Sequence, residues 1–465
     1  MAEKISKAEA LKKELFMKKE HACKGFENDT AAADNFCEGY MSFLDAAKTE
    51  REANAEALKL ARANGFVEYK KGERYCAGEK VYVNNRSKAL ILAVIGKREL
   101  SEGVRIAAAH IDSPRLDLKP NPLYEDGELA YFKTHYYGGI KKYQWTVTPL
   151  ALHGVIIKKD GEKVTVCVGE KEGEPKFVIT DLLPHLAASQ MKSTMSEGVK
   201  GENLNILIGS RPFDSSDAAE NIKLNIMNIL FEKYGVTEED FLSAELEAVP
   251  AAKACDIGFD RSMIGSYGHD DRVCAYPALM AALDAESPEY TCVCVLTDKE
   301  ETGSDGNTGL CSSYLEYFLC DLADSCGFDG RDVMSVSKCL SADVNAAFDP
   351  VYPEVSDRKN SSYLNRGVSL TKYTGARGKS CTSDAGAEYT AEIRRLLDDN
   401  GVCWQTGELG KVDEGGGGTV AKYIANLNID TIDLGVPVLS MHAPFEVVAK
   451  TDVYMAYKAF SAFFK

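Results

Sequence analysis

The apolar run YTCVCVL (residues 290–296), followed at once by TDKEETGSDGNTGL (297–310), decides the fold. The run predicts a short buried strand. Its abrupt change to charge and glycine puts the adjacent Glu300 and Glu301 at that strand's C-terminal end. In open α/β sheets this edge is where active sites are usually built. Two neighbouring carboxylates there could divide metal binding and general-base work, although a solvated acidic turn is the commoner fate of a Glu-Glu pair. Residues elsewhere in the chain decide between the two readings.

Working outward, GVRIAAAH reads as another buried strand and delivers His110 at its end, two residues before Asp112. That spacing suits a metal ligand and the carboxylate that orients it, because a ligating imidazole donates its other N–H to an acceptor. A hydrogen-bonded turn histidine is the alternative. His442, in LGVPVLSMHAPFEVV, follows an apolar strand and is expected to precede a helix. Asp343 ends the strand-like run SVSKCLSAD, and Asp270 and Asp271 stand just before the apolar helix of GHDDRVCAYPALMAAL. Aspartates in such places also serve as helix caps. Taken together, His, Asp, Glu-Glu, Asp and His suit borderline-hard divalent ions such as zinc, cobalt or manganese. A two-metal hydrolytic site is the leading reading.

The remaining signals are weaker. EGGGGTVAKYIA resembles a glycine-rich loop opening a helix, without a Walker lysine or dinucleotide fingerprint. Close approach of a substrate backbone is its expected use. There is no G-x-S-x-G nucleophile elbow. His21 and His153 are expected to be structural or surface residues.

A chain of 465 residues exceeds what one hydrophobic core usually supports, so at least two domains are expected. An α/β mixed-sheet α/β/α domain is expected in two parts, 1–118 and 251–465, interrupted by a β-rich domain at 119–250. The insertion is signalled by KYQWTVTPLALHGVIIKKDGEKVTVCVG, with KDGE as a hairpin turn. Ser6 with Glu9 and Thr49 with Glu52 read as capping boxes that start helices, and Asn84-Asn85 reads as a turn between strands. Val453, Tyr457, Phe460 and Phe464 mark the inner face of a last helix. The net charge of −17 argues against a nucleic-acid partner. No apolar run is long enough to span a membrane. Fourteen scattered cysteines without C-x-x-C spacing, and an N-terminus without an apolar signal core, point to a reduced, cytoplasmic protein.

In order along the chain, AHIDSPRLDLKP, LPHLA, GHDDRVCAYPAL, DKEETGS, SADVNAAFDPVYPE, RGKSCTSDAGAEY and VLSMHAPFEV closely resemble the aspartyl aminopeptidase family, the M18 metallopeptidases. The resemblance implies two divalent ions per subunit, zinc foremost, bridged by one aspartate. GHDD offers Asp270 and Asp271 for that role, and motif position selects Asp270. His110 and Asp343 would complete one metal site, and Glu301 and His442 the other. Glu300 would be the general base and Asp112 would orient His110. His185 would reach an active site, its own or a neighbouring subunit's, and Lys372 would face an acidic substrate side chain. Short peptides as substrates, an Asp/Glu preference and a tetrahedral dodecamer built through the β-rich insertion are also implied. The rivals are carboxypeptidase or deacylase chemistry on the same scaffold, and an inactive shell protein that keeps only the assembly.

Overall fold

The computed structural model describes residues 6–17, 20–24, 27–215 and 219–465. A nine-stranded mixed sheet forms its centre. Four of the strands, Thr291–Thr297, Val104–His110, Lys338–Ser341 and Asp430–Gly435, lie side by side and parallel. Their C-terminal ends therefore open on one edge, and the register pairs Thr297 with His110 across it. Lys80–Asn85 and Ala89–Val94 extend the sheet antiparallel on one side, and Val368–Thr371 does so on the other.

The parallel strands are largely apolar because both faces are covered, with Arg105, Lys338, Asp430 and Asp433 as the charged interruptions. Successive side chains point to opposite faces. Cys292, Cys294 and Leu296 join a core with Tyr40, Leu58, Leu279, Ile393 and Phe460. These come from the helices Glu27–Ala46, Glu50–Ala63, His269–Asp284, Ala387–Asp399 and Lys450–Phe463. Val293 and Val295 turn the other way, towards Leu315 and Phe318 of Tyr314–Cys326, Val333 of Gly330–Val336 and Ile424 of Ala421–Ala425. The expected α/β class with its mixed sheet is thus present. All fourteen cysteines are free thiols, and Cys37, Cys274, Cys292, Cys294, Cys339 and Cys403 are buried core residues. Among the described residues no helix is long and apolar enough to cross a membrane.

A second, six-stranded antiparallel sheet is built between Arg115 and Pro250. Its first strand, Arg115–Asp126, runs across the junction expected at 118/119. KDGE reverses the chain between Leu150–Ile157 and Lys163–Val168, with Gly161 at φ 89°. A buried ion-pair chain ties this sheet to the helix Glu50–Ala63. His153 contacts Glu52 at 2.7 Å and Glu170 at 3.0 Å, and Lys48 contacts Glu170 at 2.8 Å. His153 is thus structural.

Both capping boxes form, at Ser6–Glu9 and Thr49–Glu52. Residues 1–5 of the N-terminal stretch lie outside the described residues. Two local expectations change. Asn84 and Asn85 end a strand rather than forming the turn, which falls at Arg86 and Ser87 with φ 59° and 57°. Asn84 still serves that turn, its side-chain oxygen accepting the Ser87 N–H at 3.2 Å. His442 does not lead directly into a helix, because the strand Glu446–Ala449 intervenes and pairs with Met263–Ser266.

Candidate metal centre

The chain leaves the parallel strands at their C-terminal ends through tight turns, and these turns carry the candidate residues. His110 is the last residue of its strand. Asp343 follows the strand Lys338–Ser341 by two residues. Lys299, in the left-handed region, turns the chain into a single 3-10 turn over Glu300–Thr302. Asp270 sits beside the buried Asp271 at the start of the helix His269–Asp284, where the Asp270–Asp271 peptide is cis. His442 occupies a turn with φ 64° after the short strand Pro437–Val438.

Asp270 lies between the two histidines. Its Oδ1 is 3.1 Å from His110 Nε2, and its Oδ2 is 3.2 Å from His442 Nε2. Asp343 Oδ1 stands 4.0 Å from His110 Nε2, and Glu301 Oε2 stands 3.6 Å from His442 Nε2. Glu300 Oε2 is 3.9 Å from His110 Nε2. The outer ring nitrogens are held: His110 Nδ1 by the Asp112 carbonyl at 3.0 Å, and His442 Nδ1 by the Gly139 carbonyl at 2.8 Å. This leaves each Nε2 facing the carboxylates. Asp112 also fixes the glutamate turn. Its carboxylate accepts the Glu300 N–H at 3.1 Å, the Glu301 N–H at 3.2 Å and the Tyr137 hydroxyl at 2.7 Å.

These residues fit metal ions. Two groups, His110–Asp270–Asp343 and Asp270–Glu301–His442, each gather their ligand atoms within 4.8 Å of one another and share Asp270. Among the described residues, Glu301 Oε1 and Asp343 Oδ2 are buried without a hydrogen-bond partner, as suits carboxylate oxygens that would meet a cation. The electrostatics agree. Burial, reinforced by neighbouring carboxylates, raises the carboxyls of Asp343 and Glu301. Burial also pushes Glu300 up to about 7 against the pull of His110. Burial works against a charged His442, yet the Asp270 hydrogen bond and the Glu301 charge raise it to about 10. Crowded acid groups and proton-seeking imidazoles mark a site short of positive charge. A third group, Glu52–His153–Cys167, also lies within ligand distance. Both of its ring nitrogens already meet carboxylates, so it reads as the ion-pair junction described above.

The centre opens into a cleft of about 1080 Å³ lined by Asp270, Glu300, Glu301, Asp343 and His442. Gly416, Gly417 and Gly418 of the glycine-rich loop line it as well. Lys372 and His185 do not. Lys372 follows the strand Val368–Thr371 and pairs with Asp384 at 3.7 Å, although Thr374, two residues on, does line the cleft. His185 is exposed beside the exposed Leu183 and Leu186 of the insertion.

Sequence reasoning missed several residues of the centre. Glu446 is 1% exposed and accepts both the His442 N–H at 2.7 Å and the Asp270 N–H at 3.1 Å. Ser113 donates to the Asp270 carbonyl at 2.6 Å. Lys141 and Lys422 line the cleft. Only Glu446 had a signal, a carboxylate four residues after a candidate ligand.

An open mixed sheet that gathers imidazoles and carboxylates at the C-terminal ends of its parallel strands defines the class: a metal-dependent hydrolase. A family model described as Aminopeptidase I zinc metalloprotease (M18) matches residues 43–464. A probable M18 family aminopeptidase 1 of Clostridium acetobutylicum is 52% identical over 432 residues, covering 91% of this chain and 93% of that protein. The crystal structure of an M18 family aminopeptidase from Thermotoga maritima is 43% identical and matches with a TM-score of 0.92 over 97% of this chain and 99% of its own. Aminopeptidase I from Clostridium acetobutylicum matches with a TM-score of 0.90 at 45% identity, covering 97% of this chain and 100% of its own. The chain belongs to the M18 family of zinc aminopeptidases. It is a metalloprotease that hydrolyses peptides from the N-terminus.

Proposed function

We propose that the chain is a two-metal aminopeptidase, with Asp270 bridging two divalent ions, zinc foremost. The observation that carries this reading is the pair of near-equal contacts from the two oxygens of Asp270, 3.1 Å to His110 and 3.2 Å to His442. His110 and Asp343 would hold one ion, Glu301 and His442 the other. Bound there, the ions supply Lewis-acid polarisation of the scissile carbonyl and acidify the attacking water.

The rest is done by the chain's own residues. Glu300 takes a proton from the attacking water as its oxygen bonds to the carbonyl carbon, then delivers that proton to the amine as the C–N bond breaks. Asp112 sets the aim of Glu300 through the backbone of the glutamate turn and orients His110. A free α-amino group would bind near the second ion or an acidic side chain, which makes the enzyme an exopeptidase.

The test compares free and N-acetylated peptides and measures metal content. Rapid release from free peptides, none from blocked ones, and about two ions per chain are expected. Equal cleavage of blocked peptides would favour deacylase or carboxypeptidase chemistry. Far fewer ions without activity on adding zinc, cobalt or manganese would favour an inactive shell protein.

The 119–250 insertion is proposed as the assembly unit of a tetrahedral dodecamer acting on short peptides in the cytoplasm. Exposed apolar residues support this, among them Leu182, Leu186, Met191 and Met195 in one segment and Leu224, Ile229 and Phe231 on the helix Asn221–Tyr234. A yeast relative of the same fold, mApe1, has been solved as a dodecamer. In such an assembly His185 would reach a neighbouring subunit's cleft. Light scattering of the zinc-loaded protein tests the assembly, and a mass near that of a monomer would overturn it. An Asp/Glu preference at the N-terminal residue belongs to the same proposal.

A further inference from the structure

The strand Leu129–Tyr137 belongs to the six-stranded sheet, yet the chain at its end reaches the metal centre. The Tyr137 hydroxyl donates to Asp112 Oδ2 at 2.7 Å. That oxygen also accepts the Glu301 N–H, while Oδ1 accepts the Glu300 N–H and lies 3.4 Å from His110 Nδ1. Gly138, at φ 74°, packs against Glu301. A Cβ there would come within 3.3 Å of Glu301 Oε2 and 3.4 Å of its Cβ. Gly139 supplies the carbonyl that meets His442 Nδ1 at 2.8 Å. Three consecutive residues of the six-stranded sheet thus touch both halves of the centre.

Their footing is ionic and buried. Arg115 pairs with Tyr137 across the two strands, and its guanidinium carbon stacks 3.9 Å from the centre of the Tyr137 ring. The same guanidinium meets Asp117 at 2.8 Å, Glu247 at 3.1 Å and Glu50 at 3.4 Å. Asp117 and Glu247 lie in the six-stranded sheet, whereas Glu50 opens the helix Glu50–Ala63 that packs on the nine-stranded one. The ring is therefore backed by a cation anchored in both layers. Tyrosine has only two side-chain torsions, so a stacked ring leaves its hydroxyl little room to move. That is the kind of support a precise metal site needs from the residues behind its ligands.

We propose that Tyr137 is a positioning residue of the metal centre, and that the six-stranded sheet braces the site through it besides any part in assembly. Tyr137 acts through Asp112, the carboxylate that orients His110 and sets the aim of Glu300. Without the hydroxyl, Asp112 would keep its two backbone donors but lose the one side-chain donor that stops its carboxylate from turning. The proposal rests on the two-metal reading for the roles of His110 and Glu300.

The test is Tyr137→Phe, which keeps the ring beside the guanidinium and removes only the donor. In the zinc-loaded full chain, kcat is expected to fall about tenfold. KM should stay within about twofold, because Tyr137 is not among the residues lining the cleft. Zinc competition against a chromophoric chelator should show an affinity about tenfold weaker. A double-mutant cycle then asks whether the effect passes through Asp112: in an Asp112→Asn background, Tyr137→Phe should change kcat and zinc affinity by less than about twofold. Wild-type kcat and zinc affinity in Tyr137→Phe would overturn the proposal, and so would an equal loss in both backgrounds. The zinc arm needs no substrate, so a coupled loss of affinity supports the brace even where the wild type cleaves no peptide. That last result would count only against the aminopeptidase reading.

Discussion

At the residue scale, Glu300 and Glu301 are neighbours with different surroundings. Both line the cleft, but the Glu301 side chain is the more buried, at 3% exposed against 17% for Glu300. Glu301 has an oxygen with no hydrogen-bond partner among the described residues and lies 3.6 Å from His442, whereas Glu300 lies 3.9 Å from His110. Glu300→Gln should lower kcat by about 10²–10⁴-fold with metal content nearly intact. Glu301→Gln should lose metal. Elemental analysis beside steady-state rates checks this, and equal metal loss in both would mean the roles are exchanged or shared. Glu446 makes a second case. It braces the backbone of both Asp270 and His442, so Glu446→Ala should weaken zinc binding about 10–100-fold, with Glu446→Gln closer to wild type. Zinc competition against a chromophoric chelator reads this directly, and unchanged affinity in the alanine variant would remove Glu446 from the centre. His110, Glu301, Asp343 and His442 were legible because each follows a run of apolar residues, the pattern of strand C-terminal ends, and Asp270 because it stands at the start of an apolar helix. Glu446 was not legible as a brace, because its partners, the N–H groups of His442 and Asp270, are brought together only by the fold.

At the element scale, local chemistry dictated most starts and turns, while strand direction had to come from the structure. The Thr49–Glu52 capping box was readable from four residues, and so was the KDGE hairpin. Lys372 shows the limit. VSLT reads like any other apolar strand, and the sequence carries no sign that Val368–Thr371 runs antiparallel to Asp430–Gly435. Thr374, two residues on, lines the cleft, whereas Lys372 stands outside the lining and pairs with Asp384, a placement that only the fold decides. The capping box also has a second duty: Glu52 caps its helix with one oxygen and meets His153 with the other. Thr49→Ala should therefore cost about 1 kcal/mol, the loss of a cap alone. Glu52→Ala should cost about 3 kcal/mol, because it also strips a buried cation of one partner. Urea unfolding at fixed zinc and protein concentrations compares them, and equal costs would mean that the His153 contact adds nothing.

At the scale of the whole molecule, the junction between the nine-stranded and six-stranded sheets is held by ionic groups, and its strength should depend on pH. Both ring nitrogens of His153 face carboxylates, so the ring is held as an imidazolium. Burial opposes that charge, but the ring's hydrogen bonds to Cys167, Glu170 and Glu52 raise its pKa to about 11. An unfolded histidine titrates near 6.5. The folded chain therefore keeps a proton that the unfolded chain releases between those two values. The stabilisation is complete below about pH 6.5 and is lost as pH rises towards 11, with a slope of at most about 1.4 kcal/mol per pH unit. His153→Leu removes the titrating group and leaves Glu52 and Glu170 without it, so the variant should be less stable at neutral pH and its stability should fall less steeply above it. Urea midpoints at about pH 6.5, 8 and 9.5, with zinc held constant, compare the two slopes across this window. Parallel slopes for wild type and variant would mean that His153 is neutral in the folded protein, and the junction would then be held by Lys48 and Glu170 instead.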